Sequence, residues 1–253
     1  MENKQATLSI ILVVILGCII MALVEILIVP NYFTKSLIKI CIFLLLPLIV
    51  CIKQRAISFK ALFKGSKKSI FFALIFGIVV YVFILGAYFI LGPFFDFSMV
   101  TTNLENNLGV TKENFLFVAL YITSVNSLLE EFFFRGFSFL SLKQISSRKA
   151  AYIFSALAFA IYHVAIMNNW FTPPLFILLI VSLFIAGLLF NYLNERFNNI
   201  YVSWIVHMSA NLAINTVGFI LFGIIKIRGC IRMKFFKFHS MQSLFSIYEL
   251  IFL

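Results

Sequence analysis

Seven stretches of this 253-residue chain are apolar runs of membrane-spanning length, and they leave little sequence for anything else. They fall near residues 7–29, 37–52, 69–92, 114–140, 150–167, 173–193 and 199–225. Crossing the hydrocarbon core takes roughly 20 helical residues. No water is present there to satisfy exposed N–H and C=O groups, so spanning segments fold as helices or as closed barrels. Barrel strands are shorter and alternate apolar with polar residues, which these runs do not. The expected fold is all-α, a polytopic transmembrane helical bundle of about 7–8 spans. Residues 1–225 read as a single transmembrane domain, with 226–253 as a basic, aromatic C-terminal tail.

Composition supports the same class: 63% of residues are hydrophobic and 11% are charged, against about 45–50% and about 25% in soluble domains. A net charge of +11 would suggest nucleic acid for a soluble chain. Here the cations lie between apolar runs, so membrane lipids are the expected partners and nucleic acid is not. The basic stretch from Lys53 and Arg55 through Lys60, Lys64, Lys67 and Lys68 should face the cytoplasm, and the loop holding Asp96, Glu105 and Glu113 should lie outside. Counting alternately puts the N-terminus inside and, with seven spans, the C-terminus outside, against the basic run Lys226, Arg228, Arg232, Lys234 and Lys237. Folding 199–225 back as two short helices would resolve that conflict, and this is the expectation taken here. The first run is long for a signal-peptide core and ends at Glu25 rather than at a cleavage site, so it reads as a retained span. Glu25 is expected to snorkel to the outer edge. Cys18, Cys41, Cys51 and Cys230 have no zinc-ribbon or CxxC spacing and read as apolar filler plus one tail thiol.

Against this background, Glu130, Glu131 and Arg135 stand inside the fourth run, in Ser127-Leu-Leu-Glu-Glu-Phe-Phe-Phe-Arg-Gly136. An ionisable group at bilayer depth costs at least about 2.5–3.5 kcal/mol and is functional by default. His163, His207 and Asn211 also stand out as polar groups inside apolar runs. With a helical rise of about 1.5 Å per residue, Glu130, His163, His207 and Asn211 lie about 15, 18, 12 and 18 Å from the cytoplasmic edge. Four polar groups on antiparallel helices thus share one layer. Glu131 and Arg135 are i,i+4 in the favourable acid-first order, and His207 and Asn211, also i,i+4, share a face. Glu131 is therefore expected to be neutralised by Arg135, leaving Glu130, about 100° around the helix, free to meet the histidines. Phe159, one turn before His163, would wall the pocket. Tyr162 and Trp204 read as packing or interface residues.

Such a set supports hydrolysis by an activated water. A carboxylate in a low-dielectric cavity is a better general base, histidines orient the water, and an asparagine amide can donate to an oxyanion. The same residues offer a second possibility. Glu130, His163 and His207 form an accepted catalytic zinc set with one open position, although asparagine is a poor zinc ligand and no HExxH helix is present.

The three motifs Glu130-Glu131-xxx-Arg135, Phe159-xxx-His163 and His207-xxx-Asn211, in that order on successive spans, resemble those of the CAAX prenyl protease and bacteriocin-processing (CPBP, or Abi) family of intramembrane endopeptidases. The resemblance covers roughly residues 110–220. It implies a helical protease core acting on peptide or protein substrates. Glu130 would be the base, His163, His207 and Asn211 would position water and stabilise the oxyanion, and Glu131 and Arg135 would brace the site. The family is commonly labelled metal-dependent. Small bacterial relatives are associated with peptide maturation and self-immunity, which would place this chain in a bacterial cytoplasmic membrane. Members commonly continue with a further helix after the last motif, whereas this chain turns basic from Ile227. Two other classes compete: a non-catalytic bacteriocin immunity membrane protein keeping the protease fold, and a proton-coupled transporter. The transporter class usually shows internal repeats, and none is evident here.

Overall fold

The computed structural model describes residues 2–53, 63–167 and 170–226. Among them are eight helices and no strand. Seven are long and apolar enough to cross a membrane: α1 (Asn3–Ile28), α2 (Tyr32–Lys53), α3 (Lys67–Phe94), α5 (Phe115–Ile145), α6 (Arg148–Ile166), α7 (Pro173–Phe197) and α8 (Tyr201–Leu221). The protein is an integral, multi-pass membrane protein. The eighth helix, α4 (Ser98–Leu108), occupies the acidic loop between α3 and α5, where no element was expected. Arg55, Lys60 and the basic tail from Ile227 lie outside the described residues.

Local chemistry sets the helix ends. Ser66 and Ser69 cap α3 reciprocally, each hydroxyl accepting the other's N–H at 3.1 Å. Asn31 Oδ1 accepts the Thr34 N–H at 2.9 Å at the start of α2. Two prolines open α7, where a missing N–H costs nothing, and Asn198 closes it in the left-handed region at φ 52°.

The bundle is arranged around α5. On one flank, α1 (Ile10, Val14, Met21) and α2 (Ile42, Phe43) pack against Phe133, Phe134 and Phe137 of α5 and Phe159 and Tyr162 of α6. On the other flank, Ala73 of α3 packs with Phe190 and Leu193 of α7 and Val202 and Val206 of α8. Helices α6 and α7 approach very closely at Gly187, where a Cβ would lie 2.9 Å from the Ala156 Cα. This small-residue contact is a common device between membrane helices.

Two expectations are corrected. Residues 199–225 do not fold back as two short helices. Tyr201–Leu221 is one continuous helix, held straight because Trp204, Asn211 and Asn215 all bond to the same stretch of α5. Glu25 does not snorkel. It pairs with Lys35 at 3.0 Å across the Val29–Asn31 turn, with both side chains largely buried.

Candidate active site

Helix α5 departs from α-helical winding in two places. Residues Ile122–Asn126 and Glu131–Leu140 adopt the wider π form, with an α-helical turn, Ser127–Glu130, between them. Wide turns of this kind are frequent at functional sites. Here the winding changes between the two glutamates, and both carboxylates are buried side by side, Glu130 at 2% exposure and Glu131 at 0%.

Glu130 meets three other helices. Its Oε2 lies 3.6 Å from His207 Nε2 on α8 and 4.0 Å from His163 Nε2 on α6. Its Oε1 accepts from Lys39 Nζ on α2 at 2.5 Å and from Asn126 Nδ2 at 3.1 Å. The tautomers of both histidines follow from their other nitrogen. His163 Nδ1 lies 2.7 Å from the Phe159 carbonyl, which can only accept, so Nδ1 carries the proton. His207 Nδ1 lies 2.9 Å from Glu131 Oε1 and donates to that carboxylate. With Nδ1 committed in this way, both histidines turn Nε2 toward Glu130 Oε2.

The expected division of labour between the glutamates therefore changes. Glu131 is bound first to His207, and its contact with Arg135 is a loose 3.7 Å. The Arg135 guanidinium is fully buried and makes no hydrogen bond. Its faces rest on aromatic rings instead, with Cζ 4.0 Å from the Phe159 centroid and 5.0 Å from that of Phe190. The Phe159 carbonyl also accepts the His163 Nδ1–H. Glu130 is not free for the histidines alone, because Lys39 neutralises it. A lysine and a glutamate 91 residues apart in the chain leave no spacing signal. Depth was the available clue, since Lys39 is two turns inside α2, where a cation is functional by default.

Asn211 is brought to the same helix pair but not onto the carboxylate. Its Nδ2 donates to the Ile122 carbonyl at 3.1 Å, at the first wide turn. One turn on, Asn215 Nδ2 donates to the Ala119 carbonyl and Thr123 Oγ1 at 3.1 and 3.0 Å. On the other side of His207, Trp204 Nε1 donates to the Ser124 carbonyl and Ser127 Oγ, both at 3.1 Å. Trp204, expected as packing or interface, and Asn215, not anticipated, thus fix the depth of His207. Tyr162 is buried, and its ring lies 5.0 Å from the Lys39 ammonium.

For a metal, the histidine part of the donor set is suitable. Both rings give Nδ1 to an oxygen and present Nε2, as zinc-binding histidines do. The carboxylate part is not suitable, because the Lys39 ammonium already sits on Glu130 and would face a divalent cation at close range. Among the described residues no group of three His, Cys, Asp or Glu side chains is disposed to hold a metal ion. The residues present do not fit a resident zinc.

Residues 112–213 match the family model of the type II CAAX prenyl endopeptidase Rce1-like proteins. The match covers less than half of the chain. It runs from the loop before α5 into α8 and contains Glu130, Glu131, Arg135, Phe159, His163, His207 and Asn211, as the resemblance in the motifs implied. The Rce1-like segment includes α5 to α7 and most of α8, while α1 to α3, with Lys39, fall outside it. No curated protein and no solved structure matches the chain.

Proposed function

We propose that this protein is an intramembrane endopeptidase that hydrolyses membrane-associated peptide or CAAX-like substrates with a water activated by Glu130. The observation that carries the reading is the convergence of the Nε2 atoms of His163 and His207 on Glu130 Oε2, at 4.0 and 3.6 Å, in a buried layer. A water seated among these three atoms gives one proton to Oε2 and hydrogen-bonds with the other to an Nε2 atom. Its oxygen attacks the scissile carbonyl carbon as the Glu130 carboxylate takes the proton. Asn211 has one amide N–H on Ile122 and retains a second as donor to the oxyanion. Collapse of the tetrahedral intermediate breaks the C–N bond, and the proton held by Glu130 passes to the leaving amine. Glu131 keeps the His207 proton on Nδ1 throughout, so that Nε2 remains an acceptor.

In the cell, this activity would serve peptide or bacteriocin maturation or self-immunity in a bacterial cytoplasmic membrane. The test is purified protein in liposomes, incubated with prenylated CAAX-ended peptides and with leader-bearing peptides, with products weighed by mass spectrometry. Cleavage at one position in either series is expected, and its absence in both would overturn the proposal. A chelator arm bears on the metal. Cleavage that persists supports water activation by the protein alone, whereas loss restored by zinc would put a metal on Glu130, His163 and His207.

A second reading rests on Lys39. An ammonium seated on Glu130 also suits a non-catalytic immunity protein that keeps the protease fold. Protection from a toxic peptide that survives Glu130→Gln would favour binding over proteolysis.

A further inference from the structure

Helix α2 lies outside the Rce1-like segment, yet it supplies the ammonium on Glu130. Lys35 and Lys39 are i,i+4 and project from one face of α2, each onto a carboxylate of another helix: Lys35 onto Glu25 at 3.0 Å and Lys39 onto Glu130 at 2.5 Å. With Arg135 beside Glu131, three cations are matched one to one with three carboxylates. No cation of this set is spare for the charged end of a substrate. Lys39 is 5% exposed and bounded by the rings of Phe43 and Tyr162, 5.2 and 5.0 Å away.

The contacts of Lys39 form a closed triangle. Nζ donates to Glu130 Oε1 and to Asn126 Oδ1, both at 2.5 Å, while Asn126 Nδ2 donates to the same Glu130 Oε1 at 3.1 Å. One oxygen of the carboxylate is thereby held from two directions, and rotation of the group is blocked. The other oxygen, Oε2, is left facing the two Nε2 atoms. A carboxylate tied through only one neighbour could turn either oxygen to the histidines or lie between them.

We propose that Lys39 is a positioning residue for Glu130: with Asn126 it clamps Oε1 so that Oε2 is the oxygen presented to the water between His163 and His207. The proposal rests on Glu130 being the base. It assigns to the N-terminal helices a part in the chemistry carried by α5, α6 and α8.

The experiment compares wild-type, Lys39→Met, Lys39→Arg, Asn126→Ala and Lys39→Met/Glu130→Gln proteins in liposomes, measuring kcat, KM and thermal unfolding. Lys39→Met should lower kcat by about 10- to 100-fold through loss of alignment, with KM within about twofold. Lys39→Arg, which keeps a donor cation, should recover most of kcat, and Asn126→Ala should lower kcat in the same direction as Lys39→Met. If Lys39→Met does not fold, the Arg and Asn126 variants carry the test. Wild-type or higher kcat in Lys39→Met would overturn the proposal, higher kcat meaning that Lys39 blocks the base. A change confined to KM would also overturn it, making Lys39 a substrate contact. Unfolding separates this inference from the proteolytic reading. Lys39→Met should unfold at lower temperature and the double variant should regain part of the loss, whether or not any peptide is cut. Additive losses would refute the pairing itself, whereas recovery without wild-type cleavage would refute only the protease assignment.

Discussion

At the scale of single residues, the site is a set of charges made tolerable by different means. Glu130 is neutralised by Lys39 and takes a further hydrogen bond from Asn126. Arg135 has aromatic faces and the Glu131 carboxylate at 3.7 Å, without a hydrogen bond. These arrangements predict different responses to substitution. Removing one partner of a buried pair leaves the other charge uncompensated, so Arg135→Ala should cost about 3–5 kcal/mol, measured as detergent or thermal unfolding. Arg135→Lys should not restore it fully, because a lysine cannot lie flat between the Phe159 and Phe190 rings. Glu131→Gln should lower kcat while KM stays near the wild-type value, since the His207 proton is no longer held on Nδ1 by a carboxylate. A wild-type kcat in Glu131→Gln would show that the tautomer is set by something else. The glutamates and histidines were legible in the sequence because each is a polar group in an apolar run. Their pairing was not, because Lys39 stands closer to the start of its span and the fixed helical angle assumed for Glu130 and Glu131 ignored the change of winding between them.

At the scale of elements, α8 is docked on α5 by polar groups spaced about a turn apart, and only some of them bear on chemistry. Asn215→Ala removes bonds to Ala119 and Thr123 and should cost roughly 0.6–2 kcal/mol in unfolding with little change in kcat. Asn211→Ala should lower kcat more than it lowers stability. Equal behaviour of the two variants would mean that Asn211 only holds the helices together. The contact between α6 and α7 is steric. A Cβ at Gly187 meets Ala156 backbone atoms, so Gly187→Ala should destabilise by about 1–3 kcal/mol, read as a lowered unfolding temperature. The spans themselves were legible from length and apolarity. The wide turns of α5 were not, because a helix that is apolar nearly all round shows no change of period where its winding changes. The single helix at 201–221 was misjudged for another reason. The basic tail argued about topology, whereas the helix is set by Trp204, Asn211 and Asn215 facing α5.

At the scale of the whole molecule, the charged loops and the buried layer place the chain in the membrane and orient it. Lys64, just before α3, and Glu105, beyond its end, are separated by α3 alone, so they lie on opposite sides. In a background lacking the native thiols, Lys64→Cys should be shielded from an impermeant thiol reagent applied outside cells and Glu105→Cys should be labelled; the reverse pattern would invert the orientation. The pairs Glu25–Lys35 and Glu130–Lys39 tie α1 and α5 to α2, Glu131–Arg135 lies within α5, and the two histidines bring in α6 and α8. Five spans thus converge on one layer, which a protein needing only to hold helices together would not require. The central claim is that Glu130 activates water there. The most direct measurement is the rate of peptide cleavage in liposomes by wild-type protein and by Glu130→Gln, with matching unfolding temperatures confirming that both are folded. The account predicts a loss of about 100-fold or more in kcat, and cleavage by Glu130→Gln at the wild-type rate would contradict it.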